Sequence, residues 1–326
     1  MKNVIKSSGV LMVALLGACG GGSSSDSQSD ASSSSDTSDS SDQSTVTVGT
    51  SGSTDGVVCD YSDVTYNIQE SLTYTSESQW TCSEGQRELS ANGIPDHVVG
   101  TFPNPGNPNV ISEQIVSASF TLEPVASATA TQLGGPRGVT GYVLNGIKVD
   151  AGTGGSCDDT GTACSLISNT GSWNIEALGQ TSFDFGTDEN NAHVQPDGVY
   201  HYHGMPEGFV EKRGGSSSAM TLIGWAADGF PIYARYGYSI ADDASSEIRV
   251  MTGSYQFVTE VSDSRPSTDT YPLGTFMQDY EYVEGSGDLD ECNGRTGVTP
   301  EFPDGIYHYY ATDSYPFFQR CVKGVL

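Results

Sequence analysis

Basic residues are scarce in this sequence, which has 13 Lys and Arg against 41 Asp and Glu and a formal net charge of −28. No Lys or Arg occurs between Lys6 and Arg87. A protein that binds nucleic acid needs a basic surface, because neutralising the phosphates supplies most of the nonspecific affinity. We therefore expect no nucleic-acid partner.

Apolar residues are almost absent from Gly20 to Gly56, where Gly, Ser, Asp, Gln and Thr dominate. Such a segment cannot bury enough apolar surface to offset the entropy that ordering it would cost. We expect residues 19–56 to form a flexible tether and residues 57–326 to form the folded domain.

Residues 1–18 have the pattern of a signal peptide. Lys2 and Lys6 precede an apolar run at residues 10–16 that is too short to span a bilayer. The run Leu16-Gly17-Ala18-Cys19 resembles the lipobox of bacterial lipoproteins, whose cysteine is lipidated, and Gly20 resembles those sent to the outer membrane. We expect an outer-membrane lipoprotein on the periplasmic or cell-surface face. The alternative is an ordinary secretory signal that ends by chance in a cysteine.

No Cys-x-x-C spacing occurs, which argues against a metal site built from cysteines. Lipidation of Cys19 would leave six cysteines, and an even number in an oxidising compartment predicts three disulfides. Six cysteines allow 15 pairings. Neighbours in the sequence suggest Cys59 with Cys82, Cys157 with Cys164, and Cys292 with Cys321.

The sequence also lacks long segments in which apolar residues recur with the spacing of a helix. Stretches such as Val116–Leu122 alternate between apolar and polar residues, which is typical of half-buried strands. Asn-Gly or Asp-Gly before a β-branched or aromatic residue, a combination that favours tight hairpins, recurs at residues 92–94, 145–147, 197–199, 228–230 and 304–306. We predict a mainly β fold of many short antiparallel strands, sandwich-like or barrel-like and stapled by disulfides. Helices should be few, the candidate being a short one from Trp173 to Leu178.

Motifs for nucleophilic hydrolysis are not recognisable. The sequence has no Gly-x-Ser-x-Gly elbow and no Cys-His arrangement of a known kind. Its 41 acidic residues offer too many carboxylate pairs to single one out for glycoside hydrolysis. Whether the protein is an enzyme stays open.

Histidine is rare, and the five are His97, His193, His201, His203 and His308. Side chains alternate across a strand, so His201 and His203 should share one face while Tyr200 and Tyr202 take the other. Two imidazoles so placed lie close enough to bind one metal ion. A hairpin at the Pro-Asp-Gly turn of residues 196–198 would fold His193 back toward them.

We expect the ion to be copper or zinc, because imidazole suits both. His193 or His308 would complete the ligand set, His97 is a further candidate, and a nearby thioether such as Met205 would favour copper. The alternative is that these histidines are half-buried strand residues hydrogen-bonded to the backbone. Calcium has weaker support, in one oxygen-rich loop that a solvated acidic loop explains as well. The residues of that loop are Asp184, Asp188, Glu189, Asn190 and Asn191.

A segment similar in sequence to the first Tyr-His-Tyr segment occurs near the end of the chain. Residues 196–203, PDGVYHYH, match residues 303–310, PDGIYHYY, at six of eight positions. Convergence on a structural turn and internal duplication both explain this match.

Several longer motifs resemble those of the YHYH-domain proteins and occur in that family's order between Asn92 and Gly324. They are residues 92–97, 100–109, 200–204, 228–233 and 289–295. The resemblance implies membership of the family and no particular activity, since none is established for it. It also places Cys292 and Cys321 in the family's closing block, which favours pairing them.

Three functions remain as hypotheses. The first is an extracytoplasmic metal-binding module, held at the membrane through its lipid, with His201 and His203 as ligands. The second is a structural or adhesive surface protein without a metal. The third is a metal-dependent hydrolase, with His193, His201, His203 and Asp197 as the acid-base set. The sequence specifies no protein or small-molecule partner.

Overall fold

The computed structural model describes residues 54–67, 69, 72–133 and 138–326. The predicted signal peptide, Cys19 and residues 19–53 of the predicted tether lie outside the described residues. Strand β1 (Thr54–Gly56) occupies the last three residues that we assigned to the tether.

The structure is mostly β, as predicted. In chain order the further strands are β2 (Asp60–Tyr66), β3 (Thr75–Ser83), β4 (Gln86–Ala91), β5 (Val116–Thr121), β6 (Ala126–Gln132), β7 (Gly141–Val143), β8 (Lys148–Val149), β9 (Ser156–Cys157), β10 (Cys164–Ser165), β11 (Trp173–Asn174), β12 (Ala192–Val194), β13 (Tyr200–Tyr202), β14 (Leu222–Ala226), β15 (Pro231–Tyr233), β16 (Tyr236–Tyr238), β17 (Ile248–Val250), β18 (Tyr255–Phe257), β19 (Tyr280–Tyr282), β20 (Gly294–Gly297), β21 (Ile306–Tyr310) and β22 (Cys321–Gly324). The described residues also form an α-helix, α1 (Glu207–Lys212), and a 3₁₀ turn, Met277–Asp279.

Two large sheets share one core. The first has the order β1-β2-β3-β4-β5, and the second has the order β12-β13-β8-β7-β14-β15-β21-β20. The Trp80 indole N–H of β3 donates to the carbonyl of Leu144 beside β7 at 2.7 Å. The Arg87 guanidinium of β4 lies 3.3 Å from the ring centre of Trp225 in β14. These contacts join the sheets through side chains that are buried in both.

Pairing in the second sheet is antiparallel except at two places. Strand β13 runs parallel to β8, and β21 runs parallel to β15. Each parallel pair adds a Tyr-His-Tyr strand to the second strand of an earlier hairpin. This arrangement buries the middle of the sheet on both faces, as in other sheets with parallel pairs.

The predicted helix from Trp173 to Leu178 is wrong. Trp173–Asn174 pairs antiparallel with Ser156–Cys157, and Ile175 forms an isolated bridge with Phe276. Trp173 and Ile175 alternate into a small second core with Phe276. Burial against these partners outweighs the local helical preference.

The disulfide pairing agrees with the prediction. Cys59 pairs with Cys82, Cys157 with Cys164, and Cys292 with Cys321, with Cα–Cα distances of 5.2, 4.1 and 5.1 Å. Within the described residues, no helix has the length and apolar character needed to cross a membrane.

Candidate metal centre

A hairpin of β12 and β13 brings His193 directly opposite His201. Its turn is closed by the Gly198 N–H, which donates to the Gln195 carbonyl at 2.9 Å, and Gly198 has a φ of +86°. A Cβ at this glycine would lie 2.0 Å from the Ser112 hydroxyl oxygen. Both the backbone angle and the space therefore require glycine in this turn.

The tyrosines of β13 point away from the histidines, as strand alternation predicts. The Tyr200 hydroxyl donates to Asp188 Oδ2 at 2.7 Å. The Tyr202 hydroxyl lies 2.5 Å from His97 Nε2 and accepts from the Asn145 amide at 2.9 Å. These buried contacts hold the strand so that its two histidines face the other way.

The rings of His193, His201 and His203 form a nearly equilateral triangle, with all three centroid separations at 4.7 Å. His203 Nε2 lies 3.1 Å from His193 Nε2. Two nitrogens bound to one tetrahedral zinc at 2.0–2.1 Å would lie about 3.3 Å apart. Each ring offers a nitrogen within 4.8 Å of the other two. This spacing is compatible with three ligands to one ion.

Backbone carbonyls orient two of these rings. His193 Nδ1 lies 2.8 Å from the Phe185 carbonyl, and His201 Nδ1 lies 3.2 Å from the Val199 carbonyl. A ring that donates from Nδ1 keeps a lone pair on Nε2, which is how metal-binding histidines are commonly fixed. His203 Nδ1 is buried and has no hydrogen-bond partner in the part of the chain that the structure describes.

Burial keeps the cluster uncharged. Desolvation lowers the pKa of His193, and it lowers the pKa values of His201 and His203 well below the ordinary value, with the neighbouring histidines adding to the effect. Metal ligation requires neutral imidazole. These shifts favour the neutral form that ligation requires.

The histidines line a cavity of about 240 Å³. Its wall is partly apolar, from residues such as Pro108, Leu166 and Phe185. Asp150 also lines it and is 1 % exposed. If the three histidines bound a zinc ion, the cavity would leave room for a fourth, external ligand, as in catalytic rather than structural zinc sites.

The two carboxylate oxygens of Asp150, which lines this cavity, have different surroundings. Its Oδ2 accepts from Lys148 Nζ at 3.3 Å and from Gln195 Nε2 at 3.1 Å. Its Oδ1 is buried and has no hydrogen-bond partner among the described residues. Burial raises the pKa of this carboxyl, and Lys148 opposes the rise.

The family model described as YHYH protein matches residues 117–324. The chain belongs to the YHYH protein family. No curated protein and no solved structure matches it. The YHYH motif, residues 200–203, supplies two of the three clustered histidines, and His193 also lies within the matched region.

The other two histidines do not join the YHYH cluster. His97 lies on the tyrosine face of β13, where its Nδ1 is 2.9 Å from the Val98 carbonyl. His308 lies in β21, with Nδ1 2.9 Å from the Ile306 carbonyl and Nε2 2.9 Å from the Tyr310 hydroxyl. Both rings therefore use both nitrogens in internal hydrogen bonds.

Other residues from the sequence hypotheses also lie apart from the cavity. Met205 is buried in the main core, and Asp197 is exposed at the turn. In the proposed calcium loop, Asp188 accepts from the backbone of Gly100 and Asn190 at 3.0 and 2.9 Å, besides its bond to Tyr200. This carboxylate has a structural role in the hairpin.

Sequence reasoning missed Asp150. The alternation Ile147-Lys148-Val149-Asp150 after an Asn-Gly turn placed Lys148 and Asp150 on one strand face. The parallel pairing of β8 with β13, which sets Lys148 beside His201, has no signature in the sequence. That pairing brings the carboxylate to the histidines.

Proposed function

We propose that this YHYH protein binds one copper or zinc ion through His193, His201 and His203. The observation that carries the proposal is the triangle of three rings, two of them buried and one half-buried, equally spaced and beside a cavity. Imidazole ligation with no thiolate suits Zn²⁺ and Cu²⁺. Carbonyl bonds to Nδ1 of two rings further support ligation through Nε2.

Metal analysis of untagged full-length protein tests this proposal. We expect one ion per chain in the wild type and none in the His201→Ala/His203→Ala double variant, because one imidazole cannot retain the ion. His308→Ala is the matched control, since it removes another buried histidine and should leave the metal content unchanged.

Two outcomes would contradict metal binding. One is a wild type that takes up neither ion. The other is a double variant with undiminished metal content. If the double variant only melts at a lower temperature while the wild type responds to no metal, the structural or adhesive function is favoured.

A second candidate function, metal-dependent hydrolysis, is supported by Asp150. Asp150 lines the same cavity as the histidines, and its buried Oδ1 lacks a hydrogen-bond partner within the described chain. A bound ion would supply a polarised water. Asp150 would accept the proton at Oδ1, while Lys148 and Gln195 hold the other oxygen in place.

The Asp150→Asn variant separates this role from metal binding. We expect it to keep its ion and to lose at least ~100-fold in turnover, the usual contribution of a general base. The substrates would be a panel of phosphoesters, esters and glycosides, assayed with and without chelator. Absence of metal-dependent turnover across the panel in the wild type would argue against hydrolysis.

We also propose that the domain is held at the outer membrane by a lipid on Cys19. The lipobox and the acidic tether support this, and three disulfides are typical of an oxidising compartment. Membrane fractionation compares the wild type with Cys19→Ala. The wild type should sediment with membranes and the variant should not; equal sedimentation would count against the anchor.

A further inference from the structure

The eight-stranded sheet consists of two halves with the same internal order. Each half has a hairpin, β7–β8 or β14–β15, and later a second hairpin, β12–β13 or β20–β21. In both halves the Tyr-His-Tyr strand of the second hairpin runs parallel to the second strand of the first hairpin. The order β12-β13-β8-β7 is repeated in reverse as β14-β15-β21-β20.

The halves meet with a symmetric register. Strands β7 and β14 are antiparallel, and Tyr142 lies opposite Trp225. On either side of this pair, Gly141 lies opposite Ala226 and Val143 lies opposite Gly224. When residues 141–151 are superposed on residues 224–234, Gly141 becomes equivalent to Gly224, and Val143 becomes equivalent to Ala226. The register is therefore that of a twofold axis through the Tyr142–Trp225 pair.

The first hairpins also match in detail. Residues 141–151 and 224–234 share Gly at the first and sixth positions and Ala at the last. Their turn glycines, Gly146 and Gly229, have φ values of +80° and +86°. Each glycine N–H donates to the carbonyl three residues earlier, at 2.8 and 2.9 Å.

Just before the second hairpin of each half, one aspartate makes the same set of hydrogen bonds. Asp188 accepts the Tyr200 hydroxyl at 2.7 Å, and Asp290 accepts the Tyr307 hydroxyl at 3.0 Å. Each aspartate also accepts the N–H groups of the residues two and four positions later. The same sequence pattern, Asp-Glu-x-Asn, occurs at residues 188–191 and at residues 290–293.

Two further features recur after these aspartates. Asn191 and Asn293 both have left-handed backbone angles, with φ values of 55° and 60°. Their carbonyls accept the N–H of His203 and of Tyr310, at 2.8 and 3.0 Å. Left-handed angles at residues other than glycine are uncommon, so strand pairing alone does not account for two at equivalent places.

The second tyrosine of each motif reaches the turn of the first hairpin in the same half. The Tyr202 hydroxyl accepts from Asn145 at 2.9 Å, and the Tyr309 hydroxyl donates to Asp228 at 2.5 Å. Asn145 and Asp228 both directly precede the turn glycine. Convergence on a common turn does not account for this buried contact between distant hairpins, whereas duplication does.

This correspondence assigns an equivalent to each histidine of the metal centre. His201 corresponds to His308, and both rings place Nδ1 near the carbonyl two residues earlier, at 3.2 and 2.9 Å. His203 corresponds to Tyr310. His193, opposite His201, corresponds to Arg295, opposite His308.

The equivalent position in the second half is closed by internal bonds. Tyr310 Oη lies 2.9 Å from His308 Nε2 and accepts from Arg295 Nη2 at 3.3 Å. Arg295 Nη2 also donates to the Tyr238 carbonyl at 2.6 Å. A fixed guanidinium charge thus lies where the first half would hold a cation.

We infer that the eight-stranded sheet is built from two copies of one double-hairpin unit, and that the second copy holds a latent metal centre at His308. In that copy Arg295 and Tyr310 have replaced two ligands. Restoring them as histidines recreates the donor set of the first copy. The identity of the ligand as copper or zinc rests on the proposed function.

The decisive variant is Arg295→His/Tyr310→His in the full-length protein, titrated with Zn²⁺ and with Cu²⁺. We expect one ion more per chain than in the wild type, and one ion when His201→Ala/His203→Ala is added. Tyr310→His alone is the control and should gain none, because the guanidinium remains. A folded double variant that binds no additional ion overturns the inference.

If Arg295→His/Tyr310→His does not fold, the reciprocal exchange in the first half tests the inference. His193→Arg/His203→Tyr should bind no metal yet melt above His193→Ala/His203→Ala, because the guanidinium and hydroxyl fill the place as they do in the second copy. Melting below the alanine pair overturns the inference. A different result would contradict the proposed function alone. In that result the wild type binds no ion while Arg295→His/Tyr310→His binds one.

Discussion

At the scale of single residues, burial decides the chemistry of histidine in this protein. His308 is fully buried, and desolvation lowers its pKa to about 4, with Arg295 contributing in the same direction. Its two ring nitrogens are held by the Ile306 carbonyl and the Tyr310 hydroxyl. The folded protein therefore resists protonating this ring at pH values where an unfolded chain accepts the proton near pH 6.5.

This difference in the pKa of His308 between the folded and unfolded states predicts that acid lowers the stability of the fold. Because the unfolded state binds more protons between pH 6.5 and 4, the contribution of His308 to stability is present above pH 6.5 and is lost as the pH falls toward 4. The loss is up to ~1.4 kcal/mol per pH unit. Urea unfolding of metal-free protein at pH 7 and pH 5 measures it. We expect His308→Gln to lose about 2 kcal/mol less than the wild type over this interval; equal losses would contradict the assignment.

At the scale of elements, the β12–β13 hairpin assembles the cluster of His193, His201 and His203. Its Asp-Gly turn sets His193 opposite His201, and strand alternation adds His203 on the same face. The β20–β21 hairpin has the same kind of turn, with Gly305 at a φ of +89°. The two turns differ in their surroundings: Gly198 packs against Ser112, whereas a Cβ at Gly305 would meet nothing closer than 3.7 Å.

The two glycines therefore form a matched pair. Gly305→Ala should cost ~1–2 kcal/mol from the left-handed backbone angle alone. Gly198→Ala should cost ~1–3 kcal/mol more, because its Cβ would overlap the Ser112 side chain. Denaturant unfolding measures both costs. Metal titration should show weaker binding only in Gly198→Ala; weakening in both variants would indicate a general loss of structure instead.

At the scale of the whole molecule, the fold is held by contacts between distant parts of the chain. The Arg320 guanidinium binds both oxygens of Glu176, at 3.2 and 2.8 Å, across 144 residues of sequence. Both side chains are nearly buried. The disulfides act over a range of separations, from 7 residues for Cys157–Cys164 to 29 for Cys292–Cys321.

Loop length predicts how much each disulfide stabilises the fold. In the chain-entropy model the Cys292–Cys321 bond contributes about 3.5 kcal/mol and the Cys157–Cys164 bond about 2.5 kcal/mol, because a longer closed loop removes more entropy from the unfolded chain. Paired Cys→Ala variants, unfolded in guanidinium chloride, measure the difference. A larger loss at the shorter loop would show that entropy of the unfolded chain is not the dominant cause.

The sequence by itself determined the β class, the hairpin turns at residues 145–147, 197–199 and 228–230, and the face shared by His201 and His203. Each of these depends on residues that are near one another in the chain, since alternation and turn chemistry are local. The sequence suggested the disulfide pairs but left 15 pairings open. Tight hairpins predicted at residues 92–94 and 304–306 did not form, because β5 begins only at Val116 after β4 ends at Ala91, and eight residues separate β20 from β21. The fold brought in His193 as the strand pattern predicted, but left His97 and His308 elsewhere.

Only the tertiary structure decided which distant groups meet. The parallel pairing of β8 with β13 placed Asp150 at the cavity, and packing of Trp173 and Ile175 replaced a helix with a strand. Burial and long-range pairing have no local pattern, because the favourable free energy comes from partners far away in sequence. The echo between residues 196–203 and 303–310 was visible in the sequence; the hydrogen bonds and register that relate the two halves were not.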